Sequence, residues 1–129
     1  MIGVVDYGLG NVQAFLNIFK NLNIAAMSVR DSDELTHADC LVLPGVGSFD
    51  WAMEKLVASG MKDCLDDFAM NKRKFVLGVC VGMQIMARGS EEGQLPGLAW
   101  IPGDVKHFNN ANIQLPHMGW NDVEHMECH

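Results

Sequence analysis

The strongest constraint on this chain is a recurring alternation in which a short, almost wholly apolar run ends in a glycine-rich turn and helical periodicity follows. Ile2-Gly3-Val4-Val5-Asp6-Tyr7 leads into Gly8-Leu9-Gly10-Asn11, and Val12, Phe15, Leu16 and Phe19 then recur at i, i+3, i+4, i+7. Cys40-Leu41-Val42-Leu43 is closed by Pro44 and feeds Gly45-Val46-Gly47. Lys74-Phe75-Val76-Leu77-Gly78-Val79 runs into Cys80-Val81-Gly82, with a helix expected over residues 81–88. Strands this apolar are buried on both faces, which is the condition of a parallel sheet. The expected fold class is therefore α/β, a mostly parallel sheet with helices on both faces.

The remaining elements fit that scheme. Residues 25–29 make a second strand, and Asp31-Ser32-Asp33-Glu34 reads as the cap of a short helix. Helical periodicity over residues 50–71 is interrupted by Gly60, giving two helices or one broken helix. Beyond Gly89 the texture changes to Gly, Pro and Asn, with β-rich pieces at Leu98-Ala99-Trp100-Ile101 and Val105-Lys106-His107-Phe108. There is no sequence repeat and no low-complexity tract.

With 129 residues and 49% hydrophobic content, the chain can bury one continuous core and reads as one domain over residues 1–129. Its net charge is −7, and its longest basic cluster is Lys72-Arg73-Lys74. Such a surface repels phosphate backbones, so nucleic acid is not expected as a partner. The longest apolar runs fall far short of the ~18 residues of a membrane span, and the N-terminus lacks a secretory pattern. The expected location is cytoplasmic, with no membrane association. Cys40, Cys64, Cys80 and Cys128 show no CxxC spacing, so neither a zinc ribbon nor a disulfide framework is expected.

Ligands of open parallel sheets bind beyond the carboxyl ends of the strands, which directs attention to the glycine turns. Gly78-Val79-Cys80-Val81-Gly82 is the cysteine form of the G-x-S-x-G nucleophile elbow. A tight strand-to-helix turn there would hold the thiol over the sheet edge, at a helix N-terminus whose dipole favours thiolate. The competing reading is a buried cysteine acting as a small hydrophobe. Leu43-Pro44-Gly45-Val46-Gly47-Ser48-Phe49 leaves backbone N–H groups open, as an oxyanion hole requires, or is an ordinary connection. Gly8-Leu9-Gly10-Asn11 lacks the third glycine of a dinucleotide fingerprint because Gln13 stands in its place, and no G-x-x-x-x-G-K is present. No cofactor and no metal site are expected.

Taken in order, Asp6-Tyr7-Gly8-Leu9-Gly10-Asn11, the Pro44-Gly45-Val46-Gly47 loop, Gly78-Val79-Cys80-Val81-Gly82-Met83-Gln84 and Pro116-His117-Met118-Gly119-Trp120-Asn121 resemble the HisH family. These are the glutaminase subunits of imidazole glycerol phosphate synthase, class I (triad type) glutamine amidotransferases with a flavodoxin-like fold. The resemblance covers the chain to about residue 123. It implies that Cys80 attacks the amide of glutamine and that backbone N–H groups of Val46, Gly47 and Val81 form the oxyanion hole. It also places Gln84 and Glu92 against substrate glutamine. The plainer alternatives are a polar position on the elbow helix and a solvated loop charge. The ammonia released would pass to a cyclase subunit in a heterodimer, serving histidine biosynthesis.

His117, Met118, Gly119, Trp120 and Asn121 would meet that cyclase, with Trp120 as an aromatic anchor. On composition alone, Met118 and Trp120 would instead cover the domain's own core. The family's base and its orienting carboxylate lie in a His-Pro-Glu motif that is absent from these residues. The expectation is therefore an amidotransferase domain incomplete at its C-terminus, inactive by itself. His125-Met126-Glu127 has the H-x-E spacing but follows the interface motif too closely, and His125, Cys128 and His129 read as a frayed tail rather than metal ligands. His37 and His107 read as structural or solvated. The rival readings are a silent cyclase-docking module, a stress-type cysteine-elbow protein without an ammonia partner, and the same glutaminase chemistry feeding a sugar-amidating enzyme.

Overall fold

A computed structural model describes residues 1–109, 114–116, 118–122 and 124. Four parallel strands form the main sheet: β1 (Ile2–Val5), β2 (Ala26–Val29), β3 (Cys40–Leu43) and β4 (Val76–Gly78), in the order β2-β1-β3-β4. This is the flavodoxin-like winding, whose direction reverses between β1 and β3. Helix α1 (Val12–Asn21) connects the first two strands and the short α2 (Ser32–Leu35) the next two. Helices α3 (Phe49–Ala58) and α4 (Lys62–Asp66), the latter extended by a π turn over Asp67–Asn71, return the chain to β4. The one-turn α5 (Val81–Gln84) follows, and β5 (Gly89–Ser90) pairs in parallel with β6 (Asp104–Val105) as a separate small ladder.

Local chemistry accounts for these boundaries. The Asp31 side chain accepts from the N–H groups of Asp33 and Glu34, capping α2 as its sequence predicts. Gly60, at φ +74°, separates α3 from α4. Register places Gly3 beside Met27 and Leu41, and Leu43 beside Gly78, so these residues share one face. On that face Val5, Val29, Leu41 and Leu43 pack with Phe49, Leu56, Leu65 and Phe68 in one buried cluster. The opposite face buries Val4 and Val42. There α1 packs on β1 and β2, although its apolar stripe is only half-buried.

Three expectations need correction. Residues 74–79 are not a fully buried strand: Phe75 is 85% and Leu77 62% exposed, because β4 is the edge of the sheet among the described residues. Leu98-Ala99-Trp100-Ile101 is not a strand. The N–H groups of Leu98, Ala99 and Ile101 instead donate to the carbonyls of Ile85, Ala87 and Met86, closing the C-terminal end of the elbow segment. The expected helix over residues 81–88 is α-helical only through Gln84, and its last bonds are tight i to i−3 turns from Met86 and Ala87.

Candidate active site

The glycine turns after β1, β3 and β4 lie together at the carboxyl end of the sheet, next to the winding switch. The β-carbon of an alanine at Gly10 would stand 2.8 Å from Pro44 Cβ, so the first turn packs on the second. The buried Tyr7 hydroxyl donates a 2.7 Å hydrogen bond to the Pro44 carbonyl, and burial pushes its pKa up to about 12. The second turn packs in turn on the elbow. A β-carbon at Gly82 would collide with the Leu43 carbonyl oxygen, and one at Gly45 with the Gly82 nitrogen. Only glycine allows two backbones to approach this closely. The turn rejected as a dinucleotide site is thus a buttress for the turn after β3.

Cys80 adopts φ 57° and ψ −125°, a conformation that an L residue holds only under constraint and at a cost of about 1–3 kcal/mol. The constraint is visible. Val79 N–H donates to Leu43 O at 3.0 Å, fixing the chain just before the turn. Gly82 and Met83 N–H groups donate to Val79 O and Cys80 O, both at 3.0 Å, fixing it just after. Cys80 is exposed, so the buried-hydrophobe reading does not hold, whereas Cys40 and Cys64 are half-buried. The Cys64 thiol donates to Met61 O, and burial raises its pKa. Turn bonds start at Gly82, leaving the Val81 N–H outside this set. Val46 and Gly47 are exposed on the adjoining loop. With α5 only one turn long, little macrodipole is available at the thiol.

Gln84 and Glu92, separated in sequence, line one cavity of about 270 Å³ together with Ser90, Lys106, His107 and Phe108. The Gln84 Oε1 atom is buried and has no hydrogen-bond partner among the described residues, an arrangement that awaits a donor. Cys80 does not line this cavity; it stands one helical turn from Gln84, whose N–H donates to Cys80 O at 3.2 Å. Glu92 is exposed at the cavity wall, so its solvated character and its place in the cavity coexist. That wall is fastened by Glu91, which accepts from the His107 N–H at 2.8 Å and pairs with Lys106 at 3.0 Å. Both contacts hold its pKa below the usual carboxylate value.

Several of these residues carry no signal in sequence. Ser90, Lys106 and His107, the last read from sequence as structural or solvated, join the cavity only through the β5–β6 pairing, which two-residue strands do not announce. Met118 and Trp120 are 83% and 104% exposed, so neither covers the core. His117, His125, Glu127, Cys128 and His129 lie outside the described residues. No helix among the described residues is long and apolar enough to cross a membrane.

A parallel sheet with a cysteine held at positive φ between strand and helix, on a glycine-lined shelf, defines an α/β protein of the nucleophile-elbow class. The chain belongs to the SNO glutamine amidotransferase family, whose model matches residues 8–112. It is 52% identical to the imidazole glycerol phosphate synthase subunit HisH of Bdellovibrio bacteriovorus, over 96% of this chain and 63% of that protein. The subunit HisH of Leptospira interrogans is 50% identical over 95% of this chain and 62% of its own length. A crystal structure of a glutamine amidotransferase superposes with a TM-score of 0.66 at 22% identity, covering 81% of this chain and 55% of that one, which supports the fold. The chain thus spans a little over three fifths of the length of these curated relatives.

Proposed function

We propose that these residues form the nucleophile half of a glutaminase site that supplies ammonia to the cyclase of imidazole glycerol phosphate synthase, a cytoplasmic step of histidine biosynthesis. The observation that carries the reading is the Cys80 turn, held at positive φ on the backbone of residues 43–45. In this reading the Cys80 sulfur attacks the amide carbon of glutamine, and N–H groups of Val81, Val46 and Gly47 stabilise the oxyanion. The tetrahedral intermediate collapses to a thioester as ammonia leaves with a proton. Water then releases glutamate and restores the thiol. Gln84, through an Oε1 without a partner among the described residues, and Glu92 hold the substrate's polar groups.

Proton transfers in both steps need a base, and no His-Pro-Glu run occurs in the 129 residues. The 129-residue polypeptide is therefore expected to release glutamate no faster than a blank, with or without cyclase. Robust cyclase-stimulated release by that polypeptide would overturn this half-site account.

The docking surface in this reading runs through Met118, Gly119, Trp120 and Asn121, and His117, which lies outside the described residues, belongs to it by sequence. Its support is the exposure of Met118 and Trp120 together with the name of the relatives. Trp120→Ala should weaken binding to a (β/α)₈ cyclase subunit by about tenfold or more, read by titration calorimetry. Docking on the cyclase without any reaction of Cys80 toward glutamine analogues would favour the silent-module reading. Binding to a sugar-amidating synthase instead would move the chemistry to that acceptor. The acidic surface makes nucleic acid an unsuitable partner in either case.

A further inference from the structure

Asp50 lies in the first turn of α3, directly beyond the loop assigned to the oxyanion. Its carboxylate does not cap its own helix. It reaches across to the loop that follows Glu92, accepting from Gln94 N–H at 3.0 and 2.9 Å and from Leu95 N–H at 3.0 Å. Gly93 passes so close that a β-carbon there would fall on the Asp50 Oδ1 atom. Two successive backbone donors on one anion form charge-assisted bonds, roughly twice the strength of neutral ones. Asp50 also stands on firm ground, because its neighbours Phe49 and Ala52 are fully buried. Glu92 itself is exposed, and its N–H is satisfied locally by Ser90 Oγ at 3.1 Å.

From this geometry we infer that Asp50 is a positioning residue for the glutamine cavity: it clamps the backbone of residues 93–95 and so fixes the wall that carries Glu92 relative to the oxyanion loop. The inference rests on the glutaminase reading above. Asp50 lies outside the cavity lining, so its effect on a ligand passes through the loop. The elbow is built from other contacts, and its thiol is indifferent to the clamp.

The test is protection of Cys80 against iodoacetamide by L-glutamine, followed by mass spectrometry on the chain and its variants. Asp50→Ala should raise the half-protecting glutamine concentration by about tenfold, the scale of a lost charge-assisted pair of bonds. Its labelling rate without glutamine should stay within about twofold of the parent's, because the elbow contacts are intact. Asp50→Asn keeps one oxygen able to take both donors, since both reach Oδ1, and should fall between the two. Protection in the parent that neither variant weakens would overturn the role of Asp50 alone. Absence of protection in the parent at any glutamine concentration would sink the glutaminase reading, and this role with it. Should Asp50→Ala lose the elbow's own labelling rate through misfolding, Asp50→Asn decides: reduced protection at an unchanged rate supports the clamp, and full protection contradicts it.

Discussion

The elbow and the loop beneath it touch backbone to backbone, whereas the wall that carries Glu92 is held by charged side chains, the half-buried Asp50 and the exposed Glu91 among them. At the elbow, Gly82 lies on the Leu43 carbonyl, Gly45 lies on Gly82, and Gly10 lies on Pro44. These contacts run to backbone and proline atoms, so the position of Cys80 follows from the sheet and its loops. Across the cavity, β5 and β6 are two residues each, braced by Arg88–Asp104 at 3.1 Å and Lys106–Glu91 at 3.0 Å. Exposed ion pairs of this kind contribute little and weaken with salt. The difference teaches that Cys80 is placed by backbone contacts that depend on glycine, whereas the cavity wall is placed by the carboxylates of Asp50 and Glu91, whose hold depends on charge.

The largest effect should come from breaking the backbone contact. Gly82→Val forces a side chain into the Leu43 carbonyl and should destabilise the chain by about 3 kcal/mol or more, seen as a lowered urea midpoint; an unchanged midpoint would show that the loops do not press together. Tyr7→Phe removes the buried donor to Pro44 O and should cost about 1–3 kcal/mol. Its pH dependence follows from the raised folded pKa. Stability from the neutral hydroxyl is fully present below the unfolded value of 10.0 and is lost as pH rises through about 12. The parent should therefore lose stability from pH 10 upward by a component that Tyr7→Phe lacks.

A smaller change should go the other way. Cys80→Gly relieves the positive φ and, after the extra freedom of the unfolded glycine is set against it, should stabilise the chain by about 1 kcal/mol. A destabilised variant would show that the turn is not strained. The smallest effect belongs to the charged wall. Glu91 has a depressed folded pKa, so its contribution is present above the ordinary value of 4.5 and is lost as pH falls through the folded one. Glu91→Gln should lower the neutral-pH urea midpoint slightly, and flatten the acid limb of the stability profile by that same small amount; a large shift at pH 7 would move the wall into the same class as the elbow.

The two regions also differ in how far their sequence reveals them. Apolar runs ending in glycine turns made β1, β3 and β4 legible, and the short run over residues 25–29 supplied β2 without a glycine turn. The elbow was legible for the same reason, since close backbone approach demands glycines at fixed spacing around Cys80. The exposure of Leu77 was not, because composition does not say which strand is an edge. Residues 98–101 looked like a strand, but their backbone donors are taken by Ile85, Met86 and Ala87. Asp50 carried the ordinary signature of an acid in a first helical turn, and only the fold brings Gln94 and Leu95 to it. Gln84 and Glu92 were legible through resemblance alone, and the cavity they share depends on the β5–β6 ladder.

The central claim is that the Cys80 thiol is presented to the side-chain amide of glutamine. The most direct test treats the protein with a chloroketone analogue of glutamine and maps the adduct by peptide mass spectrometry, with L-glutamine as competitor. The account predicts a single adduct on Cys80 that glutamine suppresses. Modification at Cys40 or Cys64 instead, or a Cys80 that iodoacetamide labels while the analogue does not, would contradict it.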